Sequence, residues 1–185
     1  MSPSPYRGRF RLPDGLIYLD GNSLGPVCVD AEASLAAAVD AWRERRIEGW
    51  TEGESPWLFL AERLGARVAS LVGAAPDEVV ACGSTTGNLH QLLATLHRGD
   101  GAVLIDAGAF PSDRWAVESH LRLRGRDPRE WLRTVSAGAD GLLDEAAVEE
   151  ALAAPGLALA VLPVVVYTTG QLLDVARLTG AARAR

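Results

Sequence analysis

The sequence contains no lysine, and all 18 of its basic residues are arginine. A guanidinium group stays protonated near neutral pH, so it cannot replace a lysine amine as a nucleophile. The 185 residues therefore offer no side-chain amine for chemistry that requires one. Two explanations remain open at this point: codon bias toward arginine, and a catalytic lysine that lies outside these residues.

Cysteine and histidine are also scarce. The two cysteines, Cys28 and Cys82, lie far apart and belong to no dense cysteine framework, which favours reduced thiols and a cytoplasmic location. The three histidines, His90, His97 and His120, have neither an i, i+4 histidine partner nor a nearby CxxC motif, so no metal site is predicted. We expect His90 to be a hydrogen-bonded structural residue, and His97 and His120 to lie at the surface.

Long apolar runs and excess positive charge are absent as well. No apolar run approaches the roughly 18 residues of a membrane span. The net charge of −6 and the pI of about 5.1 do not favour nucleic acid or an anionic membrane as a partner. With 48% hydrophobic residues, the chain can bury a sizeable core.

Apolar periodicity predicts two amphipathic helices near the N-terminus, at 30–47 and 57–71, after a loop-like segment with four prolines. Strands and helices then alternate. The predicted strands are 78–82, 102–106, 131–135 and 157–167, and the predicted helices are 86–96, 113–123, 144–153 and a last one from Asp174.

This alternation predicts an α/β fold with a mostly parallel sheet and helices on both faces, preceded by an N-terminal helical segment. We predict a domain boundary between 1–75 and 76–185. Because the chain stops near the end of the last helix, the sheet would keep an open edge, and the topology is expected to be interrupted.

Two strand-to-helix loops could bind a ligand. The segment STTGNLH at 84–90 could hold a phosphate on helical N–H groups and on the hydroxyls of Thr85 and Thr86. The segment FPSD at 110–113 offers an aromatic face and a carboxylate. The structural alternatives are that Ser84 or Thr85 only caps a helix, and that Ser112 or Asp113 does so above a packed Phe110. We expect both loops at the carboxyl ends of neighbouring strands, where α/β sheets bind ligands.

In the segment DGNSLGP at 20–26, the glycines and the proline fix a tight backbone path from which Asn22 and Ser23 could present polar groups to a ligand. The structural alternative is an ordinary turn. Trp50 lies in a glycine-rich loop and could line an aromatic pocket, whereas Trp57 is expected in the core.

Taken with the two loops above, these segments resemble kynureninase in order and spacing, together with YTTGQ at 167–171. Kynureninase is a fold-type I, pyridoxal phosphate (PLP)-dependent hydrolase of the aminotransferase class V group. The resemblance covers nearly the whole chain and about the first half of a family member.

The resemblance implies PLP as the cofactor and a role for each matching position. The implied phosphate-binding pair is Thr85 and Thr86, and Phe110 would stack on the pyridine ring. Pro111, Ser112 and Asp113 would complete that cofactor segment. Asn22, Ser23 and Trp50 would lie on the substrate side. Residues 76–185 would be the first part of the PLP-binding large domain, which ends before the lysine that forms the Schiff base.

The implied reaction is hydrolysis of L-kynurenine, or its 3-hydroxy form, to anthranilate, or 3-hydroxyanthranilate, and L-alanine in tryptophan degradation. A cytoplasmic homodimer is implied for the complete protein, and the 185 residues alone are expected to be inactive. The sequence departs from the family pattern at two positions. Pro163 occupies a position where the family usually has a hydroxyl residue, and Gly87 occupies one where the family usually has a branched apolar residue. The alternatives are another class V PLP enzyme, such as a desulfurase-like lyase, and a non-catalytic α/β fragment.

Overall fold

The computed structural model describes residues 4–184 and contains two compact units, Met1–Ala81 and Cys82–Arg185. Within residues 4–184, no helix is long and apolar enough to cross a membrane, and no group of three or more His, Cys, Asp or Glu side chains could hold a metal ion. The assignment of 1–75 and 76–185 to separate functional domains stays a prediction.

The first unit contains helices α1 (Val29–Arg45) and α2 (Leu60–Val72), joined by short 3-10 turns at Arg46–Trp50 and Trp57–Phe59. A further 3-10 turn at Arg7–Arg9 precedes them. The first turn of α1 carries two acidic side chains, which the positive end of the helix dipole favours. Helix α2 ends at Gly73, whose φ of 69° lies in the left-handed region that suits glycine. Helices are therefore present where both were predicted, although α1 buries none of its residues and α2 buries Gly65 and Ala69.

The strand predicted at 78–82 is wrong. This segment makes no ladder with another strand and instead lies against α2, where the Ala81 N–H donates to the Ala61 carbonyl at 3.2 Å. The approach is so close that a β-carbon on Gly65 would come within 1.9 Å of the Val79 carbonyl oxygen. Its backbone thus bonds to the start of a helix, and it does not join a sheet.

The second unit is an α/β layer whose strands are all parallel, in the order β2-β1-β3. This confirms the predicted fold class. The strands are β1 (Ala102–Asp106), β2 (Leu132–Val135) and β3 (Leu157–Val161), and the helices are α3 (Thr85–Leu96), α4 (Pro111–Leu123), α5 (Pro128–Trp131), α6 (Glu145–Ala153) and α7 (Val175–Arg183).

The central strand β1 is buried along its whole length. Because successive side chains of a strand point to opposite faces, Val103 and Ile105 pack with residues of α3 and α4, whereas Leu104 packs with residues of α6 and α7. These two apolar clusters cover both faces of the sheet. The register of β1 thereby determines which helix lies on which face.

Strand β3 is shorter than the predicted strand 157–167. It ends at Val161, and Pro163 follows, which has no N–H to donate to a ladder. The chain then folds back on itself, since Val165 forms an antiparallel bridge with Leu172. The second half of the predicted strand is therefore one arm of a tight turn beyond the carboxyl end of the sheet.

The expectation that His97 and His120 lie at the surface is wrong. Their exposed fractions are only 2% and 7%, and His97 Nδ1 lies 2.9 Å from His120 Nε2. His97 Nε2 also lies 3.0 Å from the Gly101 carbonyl oxygen, which can only accept a hydrogen bond. Nε2 of His97 therefore carries the proton, Nδ1 of His97 accepts, and His120 donates. With one N–H between the two rings, this arrangement satisfies both hydrogen bonds without an added proton.

The neutral pair makes the stability of the second unit depend on pH. Burial lowers the pKa of His120, and the neighbouring His97, Arg124 and His90 lower it further. Above a pH of about 6.5 neither the folded nor the unfolded chain is protonated at this site. As the pH falls below that value, the unfolded chain takes up the proton first, so folding becomes less favourable by up to about 1.4 kcal/mol per pH unit.

We expect His120→Gln to reduce this loss, because the glutamine amide can still donate to His97 but does not titrate. The measurement is the free energy of unfolding by urea at pH 8, 7, 6 and 5. His90→Gln, at an exposed position on α3, is the matched control and should keep most of the wild-type slope. An unchanged slope in the His120→Gln protein would contradict the assignment of the pH dependence to this pair.

Candidate functional site at the carboxyl edge of the sheet

A cavity of about 210 Å³ lies where β1 and β3 end. Its lining is mostly apolar, with polar side chains contributed by Asp106, Asp113 and Tyr167. Phe110 and Pro163 line it as well. Since ligands of open α/β sheets bind beyond the carboxyl ends of the strands, this cavity is the candidate site.

A larger groove of about 680 Å³ lies along α4 and β2, and it is a weaker candidate. Its arginines already have carboxylate partners: Arg114 and Arg122 both bond to Glu118 at 2.9 Å, and Arg129 bonds to Asp127 at 2.7 Å. A ligand in this groove would have to compete with these ion pairs. None of the residues that line the groove belongs to the loops that follow β1 and β3.

Phe110 is the residue that caps the start of α4, and it does so through its backbone. Its carbonyl accepts from the N–H groups of Asp113 at 2.9 Å and Arg114 at 3.2 Å, and no side chain caps this helix. The Phe110 ring is 53% exposed, so it does not pack beneath the helix. The structural alternative, in which Ser112 or Asp113 caps α4 above a packed Phe110, is therefore wrong.

The other residues of this segment occupy the first turn of α4. Pro111 stands at the first helical position, where its fixed φ suits the helix and its missing N–H costs nothing. The Ser112 hydroxyl donates to an Asp113 carboxylate oxygen at 3.4 Å. Asp113 lines the cavity beside Phe110, whereas Pro111 and Ser112 do not line it.

Asp106 is a site residue that the sequence analysis missed. It is the last residue of β1, it is only 4% exposed, and it accepts a hydrogen bond from the Gly108 N–H at 2.8 Å. The carboxylate thereby closes the turn that leads from β1 toward Phe110. An acidic residue directly after a run of four apolar strand residues was the signal that could have identified it.

The loop at 84–90 starts α3, and the Ser84 hydroxyl accepts from the Gly87 N–H at 3.2 Å. The capping role considered for Ser84 is thus present. Neither Thr85 nor Thr86 lines the cavity. Their N–H groups precede the first capped position and have no hydrogen-bond partner within residues 4–184.

The path of α3 shows toward which edge of the sheet its first turn points. His97 follows the last residue of α3 and bonds to Gly101, directly before β1, so α3 ends at the amino end of that strand. One turn from the start of α3, Leu89 packs in the same cluster as Ile105. Helix α3 therefore runs back along β1, and Thr85 and Thr86 lie toward the carboxyl edge, on the side where Phe110 follows β1.

The predicted substrate-side residues all lie in the first unit. Asn22 and Ser23 are exposed in a turn that is closed by the Ser23 N–H donating to the Asp20 carbonyl at 3.2 Å. The Trp50 ring makes an edge-to-face contact with Trp57, with ring centroids 6.3 Å apart. The roles of Asn22, Ser23 and Trp50 stay predictions. His90, expected to be a hydrogen-bonded structural residue, is exposed on α3.

Gln171 fixes the turn that carries Tyr167 into the cavity wall. Its side-chain amide accepts from the Leu143 N–H and donates to the Leu143 carbonyl, both at 2.8 Å. Its backbone carbonyl accepts from the Val166 N–H at 2.9 Å. Since Leu143 and Val166 belong to the apolar cluster beneath the sheet, the turn is bonded to the core.

We expect Gln171→Leu to lower the free energy of unfolding by about 1–3 kcal/mol, because both backbone groups of the buried Leu143 would lose their partner. Urea unfolding followed by circular dichroism measures this loss. Gln91→Leu makes the same substitution at an exposed position on α3 and should change stability by less than about 0.5 kcal/mol. Equal effects of the two substitutions would show that the amide bridge is not a stabilising contact.

The chain is an α/β protein with a parallel sheet covered on both faces, and its cavity lies beyond the carboxyl ends of the strands, where proteins of this class bind ligands. The chain matches no known family model. It is 45% identical to a kynureninase of Bacillus cereus over 183 residues. It is 46% identical to one of Shouchella clausii over 185 residues, and 44% identical to one of Geobacillus thermodenitrificans over 183.

These matches cover 97% of this chain but only 42–43% of each relative, so the chain spans about two fifths of the length of the kynureninases it resembles. The resemblance to kynureninase inferred from four short segments is therefore confirmed over nearly the whole chain.

Proposed function

We propose that this chain is part of a PLP-dependent hydrolase that cleaves L-kynurenine, or 3-hydroxykynurenine, to anthranilate, or 3-hydroxyanthranilate, and L-alanine. The observation that carries the proposal is the 44–46% identity to kynureninases across 97% of the chain. Because the chain spans about two fifths of those relatives, the activity is proposed for a longer protein that contains it.

The residues at the carboxyl edge are chemically suited to a phosphorylated aromatic cofactor. Phe110 offers a half-exposed ring face on the cavity wall, and an aromatic ring stacks well on such a face. Asp106 and Asp113 place carboxylates in the same wall, which disfavour a phosphate there. The phosphate would instead bind at the start of α3, where Thr85 and Thr86 offer hydroxyls and also N–H groups that have no backbone partner within residues 4–184.

The proposed role of this chain is to bind and orient the cofactor. When bound, PLP withdraws electrons from the substrate's α-carbon and so stabilises negative charge there. The chain's own contribution is a stacking ring at Phe110 and a polar contact at Asp113. Pro163 lines the cavity without a hydroxyl or an N–H, so it supplies no hydrogen bond to a ligand. The amine that holds the cofactor covalently would come from outside these residues, since the chain has no lysine.

The proposal extends to the substrate side and to assembly. Asn22, Ser23 and Trp50 are proposed to contact the substrate, because their positions match substrate-side positions of the kynureninase pattern. A homodimer and a cytoplasmic location are proposed for the longer protein on the same resemblance. The proposed substrate of the longer protein is an amino acid, which the name of the relatives supports.

The first test is to express the proposed longer protein, from DNA that encodes these residues and the codons that follow them. With PLP, the longer protein should release anthranilate from L-kynurenine, which is followed by its fluorescence, and stoichiometric L-alanine. The 185-residue chain, assayed in parallel, should show no turnover because it lacks the amine. Release of sulfur from L-cysteine without cleavage of kynurenine would contradict the proposal and favour a desulfurase-like lyase.

The second test uses the 185-residue chain alone. Treatment with PLP and then borohydride reduces any C=N bond to a stable label, and mass spectrometry locates it. We expect no labelled side chain, and at most trace labelling of the α-amino terminus, because arginine forms no such bond at neutral pH. Stoichiometric labelling of any side chain would contradict the proposed division of roles. In the longer protein, the same treatment should place the label on a residue outside residues 1–185.

A further inference from the structure

We propose that Tyr167 is a positioning residue, whose ring holds the Phe110 ring in the orientation that stacks on the cofactor. The inference rests on the proposed function for the identity of that cofactor. It assigns Tyr167 no contact with reacting atoms. Its action would pass through Phe110.

The Phe110 and Tyr167 rings are in direct contact. Their centroids lie 5.5 Å apart, with an angle of 69° between the ring planes. This is an edge-to-face arrangement within the range that aromatic pairs favour. Both residues line the cavity, and both are more than half exposed, so few other contacts restrain either ring.

The Phe110 backbone is fixed, while its side chain is not. The carbonyl of Phe110 accepts two helical N–H groups at the start of α4, which holds the main chain. Its ring projects from this position toward the cavity wall. An exposed phenylalanine exchanges rotamers freely on a short timescale, so an unrestrained ring would lose entropy on binding a flat ligand. A contact that favours one orientation reduces that loss.

Tyr167 is itself well fixed at its backbone. The neighbouring Val166 is buried and donates to the Gln171 carbonyl, and the Gln171 amide bonds to Leu143 in the core. The Tyr167 hydroxyl has no hydrogen-bond partner within residues 4–184. The ring, and not the hydroxyl, is therefore the part that contacts Phe110. Phenylalanine at position 167 should preserve the function, whereas leucine should not.

The experiment compares the wild-type chain with Tyr167→Phe, Tyr167→Leu, Phe110→Leu and the double variant Phe110→Leu/Tyr167→Leu. Tyr6→Leu, at an exposed tyrosine of the first unit, is the matched control. Far-UV circular dichroism verifies that each variant is folded. Because Tyr167 is exposed, its replacement leaves no cavity in the core.

The first readout needs no cofactor. The chain has three phenylalanines, so selective ¹³C labelling of phenylalanine gives few aromatic signals, and Phe110→Leu assigns the relevant one. A ring edge-on to another aromatic ring has a shifted resonance. We expect Tyr167→Leu to remove this shift for Phe110, and Tyr167→Phe and Tyr6→Leu to retain it. A Phe110 signal that does not respond to Tyr167→Leu would overturn the inference.

The second readout is the affinity for pyridoxine 5′-phosphate, which carries the ring and the phosphate but no aldehyde and so binds only noncovalently. We expect Tyr167→Leu to weaken binding by roughly 3-fold to 10-fold, and Tyr167→Phe to bind like wild type. In the Phe110→Leu background, Tyr167→Leu should have no further effect, because its influence passes through Phe110.

The remaining outcomes are separable. An equal effect of Tyr167→Leu with and without Phe110 would show a direct contact with the ligand and overturn the positioning role. Weak binding by Tyr167→Phe would assign the effect to the hydroxyl and would also overturn the positioning role. Unchanged affinity in Tyr167→Leu would overturn that role too. If Phe110→Leu itself binds like wild type, the stacking role in the proposed function fails, while the Phe110 resonance still reports whether Tyr167 holds that ring.

Discussion

The pairing of β1 with a parallel strand on each side is the constraint on which the second unit depends. Every residue of β1 is buried, and its alternating side chains pack with two different layers of helices. A shift of one residue would exchange Leu104 with its neighbours and place each side chain in the wrong cluster. The register of this strand therefore determines where the next loop starts, and with it the position of the Asp106 carboxylate and the Phe110 ring.

The candidate site follows from how the chain leaves the strands. Polar groups accumulate where β1 and β3 end, because backbone N–H and C=O groups beyond the ladder need other partners. Asp106 supplies one partner through its side chain, and Gln171 supplies two more by bonding to Leu143. The Asp106 bond closes a local turn, whereas the Gln171 bonds join residues 28 positions apart and attach the turn to the core. The rings of Phe110 and Tyr167 are then exposed apolar groups on a cavity wall whose loops are held by these bonds.

Much of this fold could be predicted from the sequence because its signals are local. Strand β1 has the bounds of the predicted strand 102–106, since a glycine and an acidic residue bracket four apolar residues. The strand predicted at 78–82 had similar composition, but its backbone bonds to α2, and composition does not identify a bonding partner. The length of β3 was overestimated for a related reason: Val165 is apolar like a strand residue, yet it pairs with Leu172 across a turn.

The candidate site was predictable only where its residues lie next to each other in sequence. FPSD marked one wall of the cavity, and the acidic residue after four apolar ones could have marked Asp106. Only the fold, which brings the ends of β1 and β3 together, adds Tyr167 to the same cavity. The buried pair of His97 and His120 could not be predicted from the sequence either, because the two residues are 23 positions apart and neither has a local sequence signal.

Because the chain has no lysine, its side chains can contact a cofactor but offer no amine that could bond to it covalently. Arginine, threonine and backbone N–H groups can neutralise or donate to an anion, and a phenylalanine ring can stack on an aromatic one, but none of these groups is a nucleophilic amine at neutral pH. The proposed cofactor would therefore be held by an exposed aromatic ring and by N–H groups that have no partner within residues 4–184, without a covalent bond to them. In the proposed function the amine comes from residues outside this chain, and the kynureninase relatives are more than twice its length.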